Sequence, residues 1–191
     1  MSVRDCKKIV VVGNNGSGKT TFATKLAEIL GLPLIHLDAE FWQPGWQTVP
    51  REHWIERMNT ISSGDEWIID GQYGSTLKQR FIAADCVIFM DISRPTCFKN
   101  LVKRRFKYHS KPRPDMPEDC PEIIRSDELV QMWNYPKSER NRVLSYMIRY
   151  PKKEMHTFYS LKAANQWLEK LENKTLENKE PDKENKGTDK V

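Results

Sequence analysis

The chain predicts an α/β protein built on a parallel sheet with helices on both faces. Three observations carry that expectation. Short apolar runs alternate with stretches of helical periodicity, the order in which strand–helix–strand units assemble parallel sheets. Three of these runs lead up to an aspartate, Asp38, Asp70 and Asp91. Residues 13–20 read G-N-N-G-S-G-K-T directly after the apolar run 8–12, a G-x-x-x-x-G-K-[ST] pattern that joins a strand to a helix around phosphate groups.

The elements follow in order. Residues 8–12 form a strand. Residues 19–30 set Phe22, Leu26 and Ile29 or Leu30 on one face at helical spacing, with Gly31 as the stop and Pro33 just beyond. A strand over 34–37 ends at Asp38, a helix over 51–61 follows Pro50, and a strand over 66–69 ends in Asp70-Gly71. A brief helix over 76–82 precedes the strand 86–90, which ends at Asp91. A basic helix over 95–108 cannot continue into residues 111–121, where four prolines remove backbone donors and clash with a helical turn. Helical patterning resumes near Asp127, breaks at Pro136 and runs to Arg149 with Val143, Leu144, Met147 and Ile148 as its stripe. Residues 157–159 are the last strand, and Ser160 caps a helix over 161–171 whose apolar face holds Ala164, Trp167, Leu168 and Leu171. The domain is thus expected over 1–171. Residues 172–191 are rich in Glu, Asn and Lys with almost no apolar side chains, too little to offset the entropy of ordering, so a disordered charged tail is expected there.

The loop also implies chemistry. Gly13, Gly16 and Gly18 leave no side chain between successive backbone N–H groups and a phosphate oxygen. The helix that follows adds unpaired N–H groups and its positive dipole end. Lys19 would bridge the β and γ oxygens of a nucleoside triphosphate, and the Thr20 hydroxyl would hold Mg²⁺. The expected binding stretch is Gly13, Asn14, Asn15, Gly16, Ser17, Gly18, Lys19, Thr20 and Thr21, within which Asn14 and Asn15 serve as turn residues.

Composition narrows the class. At 191 residues, 38% hydrophobic and 30% charged, the chain has the profile of one globular domain. No stretch is apolar enough to span a bilayer and residues 1–6 are too polar for a secretory signal, so a cytoplasmic location and no membrane partner are expected. Cys6, Cys86, Cys97 and Cys120 lack metal-site spacing and read as reduced, partly buried thiols. The net charge is +5. Its excess concentrates in residues 92–114, which hold Arg94, Lys99, Lys103, Arg104, Arg105, Lys107, Lys111 and Arg113 with no acid, so an anion is the expected partner.

In an open parallel sheet ligands bind beyond the carboxyl ends of the strands, which places Asp38, Asp70 and Asp91 on one rim with the loop. Asp70 is expected to orient magnesium through water, with Gly71 permitting close approach of a ligand, and Asp91 competes for that role. Asp38 is expected either to accept a proton from an acceptor hydroxyl or to hydrogen-bond to it. Arg104 and Arg105 precede the Pro-rich segment and Arg140 and Arg142 follow it; at least one on each side is expected to neutralise charge on a migrating phosphoryl group. Trp42, Trp46 and Tyr73 are candidate walls of an acceptor pocket, or simple packing. His36 and His53 read as structural, and His109 as a candidate phosphate contact.

Taken as an ordered set, these motifs resemble P-loop kinases of the adenylate kinase-like class. More narrowly, the chain is similar to the family of DNA topology modulation (FlaR-like) proteins, through the loop at 13–20, H-L-D at 36–38, P-G-W at 44–46, D-G-Q-Y at 70–73, T-L at 76–77, R-P-D-M at 113–116, C-P-E at 120–122 and W-N-Y-P at 133–136. The resemblance implies a three-layer α/β/α P-loop NTPase fold with a five-stranded parallel sheet, a mobile helical lid over about 108–125, and ATP with Mg²⁺. It implies phosphoryl transfer to a small hydroxyl- or phosphate-bearing acceptor. Nucleoside monophosphate kinases follow their Asp-Gly with Phe-Pro-Arg, whose arginine grips the acceptor phosphate. Here Asp70-Gly71 leads to Gln72, Tyr73 and Gly74, so either Arg80 does that work or the acceptor has no phosphate at that place. Two alternatives stand beside the kinase. One is a nucleotide-switched, nucleic-acid-binding regulator using the basic stretch with Phe98, Phe106 and Tyr108, and the other is a simple ATPase.

Overall fold

A computed structural model of the chain describes residues 2–177 apart from 110, 112, 114 and 118. The first strand, β1 (Lys8–Gly13), is buried from Ile9 onward and feeds through the glycine-rich loop into α1 (Lys19–Leu30). After β2 (Leu34–His36) the chain turns at once into a short helix, α2 (Leu37–Phe41), and a hairpin of β3 (Trp42–Gln43) and β4 (Gln47–Thr48) closed by the turn Pro44–Trp46. Next come α3 (Arg51–Ser63), β5 (Trp67–Asp70), α4 (Leu77–Ala83), β6 (Cys86–Met90) and α5 (Arg94–Lys107). Beyond the Pro-rich loop, α6 (Ser126–Asn134) and α7 (Glu139–Arg149) flank a 3-10 turn at Tyr135–Lys137, where Pro136 cannot donate a helical hydrogen bond. The chain closes with β7 (Glu154–Phe158) and α8 (Leu161–Glu177).

The sheet has five parallel strands in the order β2–β5–β1–β6–β7. Alternation along the central strand builds the layers. Ile9 and Val11 face Phe22, Leu26, Leu101, Leu168 and Leu171 of α1, α5 and α8, whereas Val10 and Val12 face Trp54, Met58, Leu77, Phe81 and Val143 of α3, α4 and α7. The register sets Val11 beside both Asp70 and Ile88, so the loop after β1 and the acid ending β5 emerge on one edge. No helix among the described residues is long and apolar enough to cross a membrane. All four cysteines are buried and free.

The structure departs from the sequence-based expectation at several boundaries. The second strand stops at His36, and Asp38 lies in the first turn of α2 instead of at a strand end. Leu37 is fully buried, and its side chain occupies the space a Cβ at Gly71 would need. The hairpin was not expected, although Pro44-Gly45 between aromatic residues is a turn signal. β7 begins at Glu154, earlier than expected, because an edge strand carries polar residues such as Glu154 and His156 that blunt the apolar pattern. Helix α8 runs on through residues 172–177, part of the expected tail; residues 178–191 lie outside the described residues.

Candidate active site

The glycine-rich loop is braced from both sides. Gly16 has φ of 75°, and a Cβ there would collide with the Cys97 carbonyl of α5, so the loop requires glycine at this position. Asn100 of α5 donates to the Gly16 carbonyl at 2.8 Å. Asn14, expected as a plain turn residue, is 2% exposed: its Oδ1 accepts from the Asn15 N–H at 2.8 Å and its Nδ2 donates to the Met132 carbonyl of α6 at 3.0 Å. The loop is thereby tied to α6. The Lys19 ammonium makes one contact of hydrogen-bond length among the described residues, 3.5 Å to the Asn14 carbonyl, and lines the cleft.

Asp38 faces that cleft. Its Oδ1 accepts from the Tyr73 hydroxyl at 2.8 Å and its Oδ2 lies 3.4 Å from Arg113 Nη2. Burial alone would push its carboxyl up, but Arg113, Lys19, the Tyr73 hydroxyl and Arg104 together hold it below the usual value, so it is ionised at neutral pH. The same burial, with Asp38 beside it, keeps the Tyr73 phenol protonated and a donor. Arg113 was not singled out by the sequence. It comes from the Pro-rich segment, is nearly buried, and reaches Asp115 at 3.2 Å and Glu122 at 3.0 Å as well.

Arg80 does not grip an acceptor. Its side chain is fully buried, and the guanidinium donates to three successive carbonyls, Gly71 at 2.8 Å, Gln72 at 2.6 Å and Tyr73 at 3.0 Å. Burial pulls its pKa down to about 9, which leaves it charged at neutral pH. Arg80 therefore shapes the turn that presents Tyr73. Gly71, expected to admit a ligand, instead admits Leu37, whose Cβ would lie 2.7 Å from a Cβ at Gly71. Asp70 ends β5 with its Oδ2 3.1 Å from His36 Nδ1, a contact that ties the end of β2 to the end of β5. Asp70 Oδ1 and Ser17 Oγ are buried without a hydrogen-bond partner among the described residues.

The remaining arginines divide by helical phase. Arg104 faces the cleft and is held by Glu122 at 2.6 Å and Glu128 at 2.7 Å. Arg105, one residue on, is turned to His109, with Nη1 3.1 Å from Nδ1. Arg140 forks onto Asp91 with contacts of 2.8 to 3.1 Å, which occupies both carboxylate oxygens of that strand-end acid. Arg142 pairs with Glu139 at 2.9 Å and is largely exposed. Trp42 and Trp46, 5.2 Å apart between ring centroids, stand beside Phe41 and Tyr73 as an aromatic wall. The Arg125 guanidinium stacks on that wall, 4.3 Å from the Trp42 ring and 4.6 Å from Trp46.

These groups enclose two adjoining cavities. One, about 640 Å³, is lined by Lys19, Asp38, Trp42, Trp46, Tyr73 and Arg125 among others. The other, about 480 Å³, is lined by Gly16, Gly18, Thr20, Thr21, Lys103 and Tyr108 among others. Lys19, Asp38, Arg104 and Arg113 belong to the walls of both. The loop lysine and the acid therefore stand where the two spaces meet.

The chain has the fold of shikimate kinases. It superposes on shikimate kinase from Acinetobacter baumannii in complex with shikimate with a TM-score of 0.52 at 17% identity, over 91% of this chain and 95% of the other. Shikimate kinase from Bacteroides thetaiotaomicron matches with a TM-score of 0.52 at 17% identity, over 90% of this chain and 99% of that one. No protein-family model matches the sequence. No curated protein matches it either.

Proposed function

We propose that the protein is an ATP-dependent small-molecule kinase that transfers a phosphoryl group to a hydroxyl-bearing acceptor. The observation that carries this reading is the shared wall: Lys19 and Asp38 stand between a cavity bordered by the end of the glycine-rich loop and the start of α1, Gly16 to Thr21, and a cavity bordered by the first loop residues and by Phe41, Trp42, Trp46 and Tyr73. Donor and acceptor bound in the two spaces would meet at those side chains, and holding reactants in register is the main thing an enzyme contributes to phosphoryl transfer. The fold shared with shikimate kinases supports the same assignment.

In this reading the loop amides and Lys19 hold the polyphosphate. The ionised Asp38 orients the acceptor hydroxyl and takes up its proton as the oxygen bonds to the γ-phosphorus and the bond from that phosphorus to the departing ADP oxygen breaks. Arg104 and Arg113, on the boundary of both cavities, are placed to balance charge on the group in transit. Thr20, on the wall of the second cavity, would hold magnesium directly, and Asp70, which lines neither cavity but whose buried Oδ1 has no hydrogen-bond partner among the described residues, would act on the ion through water. Bound there, magnesium would neutralise phosphate charge. Among the described residues no cluster of three His, Cys, Asp or Glu offers a metal site independent of the nucleotide.

The experiment is calorimetric titration of ATP with magnesium into wild type and Lys19→Met, paired with ADP release in the presence of candidate acceptors. Heat of binding in wild type, with turnover lost in a folded Lys19→Met protein, supports the assignment. Equal ATP consumption by both proteins refutes it.

A further inference from the structure

We infer that the acceptor is a small organic anion, a hydroxyl-bearing carboxylate or phosphate monoester, whose charged group lies against the Arg125 guanidinium. This narrows the phosphoryl-transfer reading above and rests on it.

The cleft cations differ in how they are compensated. Arg113 meets three carboxylates, Asp38, Asp115 and Glu122. Arg104 meets Glu122 and Glu128, whose side chains are 1% and 14% exposed. Those pairs are largely shielded from water and leave little charge unbalanced. Arg125 differs. Its carboxylate partner among the described residues is Asp127, 3.2 Å away through Nε, and the Asp127 side chain is 56% exposed. A pair this wet contributes little and yields readily to a better ligand.

Arg125 is nevertheless fixed in place. Arg125 Cζ lies 4.3 Å from the Trp42 ring centroid and 4.6 Å from that of Trp46, two rings inclined at 73°, so the guanidinium is wedged against both and held there by attraction of the cation to the rings. Its one salt bridge among the described residues uses Nε, which leaves the Nη groups for a ligand, and a planar donor fork matches the two oxygens of a carboxylate or phosphate. The position also suits an acceptor. Arg125, Trp42 and Trp46 line the aromatic cavity and not the one bordered by Thr20 and Thr21. An anion seated on Arg125 would lay its carbon skeleton on Phe41 and Trp42 and direct a hydroxyl toward Asp38. A neutral polyol would leave the Arg125 fork facing water and gain nothing from it.

Matched compounds of one skeleton test this without the natural acceptor in hand. ADP release is measured with the full chain, ATP and magnesium across glycerol, glycerate and glycerol phosphate, then a nucleoside and its monophosphate. Anionic members should lower KM about tenfold or more against their neutral counterparts, and Arg125→Gln should raise KM for the best anion about tenfold with kcat within about threefold, Arg125→Lys recovering part of the loss. Preference for carboxylates or for phosphate esters identifies which oxyanion is held. A neutral member used as well as its anionic partner overturns the inference, as does an unchanged KM in Arg125→Gln. The compound series decides even where the substitution fails to fold. ATP binding with no stimulation by any anion defeats the acceptor class alone, whereas absence of ATP binding defeats the transfer reading itself.

Discussion

The Tyr73 hydroxyl donates a 2.8 Å hydrogen bond to Asp38 from a residue whose backbone φ is 30°, a conformation non-glycine residues rarely adopt. Strain of that kind persists only where neighbours over-determine it, and here the buried Arg80 holds the carbonyls of Gly71, Gln72 and Tyr73. The chain Arg80–Tyr73–Asp38 thus links a buried cation to the candidate acceptor-binding carboxylate. Tyr73→Phe removes one hydrogen bond to a charged group, which is worth about 1.5–3 kcal/mol. Turnover should fall about tenfold to a hundredfold, and the melting temperature should fall by about 3–12 °C. Steady-state kinetics and thermal unfolding on the same preparation check this, and undiminished kcat/KM would remove Tyr73 from the site.

Arg80 carries a different kind of consequence. Arg80→Met would leave the Gly71 and Gln72 carbonyls without a donor among the described residues, while the Tyr73 carbonyl keeps the Thr76 N–H at 3.1 Å, at about 1–3 kcal/mol for each orphaned group. A destabilisation of about 2–6 kcal/mol is expected by urea unfolding. Arg80→Lys, which keeps a buried cation but not the fork, should recover only part of it. A variant as stable as wild type would show that the turn holds itself.

The glycine-rich loop and the acid of β5 are legible in the sequence because their signals are local: a fixed spacing after an apolar run, and a run that ends in Asp70. The arginines are not, because adjacent residues on a helix point about 100° apart and the sequence does not say which one meets the sheet rim. Arg104 reaches Glu122 and Glu128 while Arg105 reaches His109. Arg113 belongs to the basic stretch and to R-P-D-M, but neither assigns it to the site, since a Pro-rich loop has no periodicity and its three carboxylate partners lie at Asp38, Asp115 and Glu122. Arg80 is ambiguous for another reason: its spacing after Asp70-Gly71 fits either a ligand contact or a turn brace, and only burial separates them.

The His36–Asp70 pair predicts a pH dependence of stability. Burial alone would pull the His36 pKa down, but the hydrogen bond to Asp70 and the negative charges of Asp70, Asp115 and Asp38 outweigh it, so the folded value lies above 6.5. A folded state that binds the proton more tightly than the unfolded chain is stabilised by it. That contribution is complete below the unfolded value and disappears as pH rises through the folded one. The melting temperature of wild type should therefore decline more steeply than that of His36→Gln as pH rises above about 6.5. His156, which burial pulls in the opposite direction, is common to both proteins and cancels in the comparison. Parallel profiles would show that His36 does not titrate with folding.

Arg113 ties down the cover of the cleft. It joins Asp38 of α2 to Asp115 and Glu122 of the Pro-rich segment, and that segment also reaches the hairpin through Cys120 Sγ to the Gln43 carbonyl at 3.3 Å and Gly45 N–H to the Asp119 carbonyl at 3.2 Å. Removing one member of a buried ion-pair network strands the others, at about 3–5 kcal/mol. The loss should be local, since Arg113 belongs to neither core cluster. In Arg113→Ala, amide hydrogen exchange is expected to accelerate in residues 115–122 and the hairpin while β1 and β6 stay protected. Because Arg113 also borders both cavities, acceptor-dependent turnover should fall with it, and Arg113→Lys, lacking the fork that reaches three carboxylates, should restore neither fully. Unaltered exchange in that segment would mean the cover is held by its backbone contacts to the hairpin and not by the charge network.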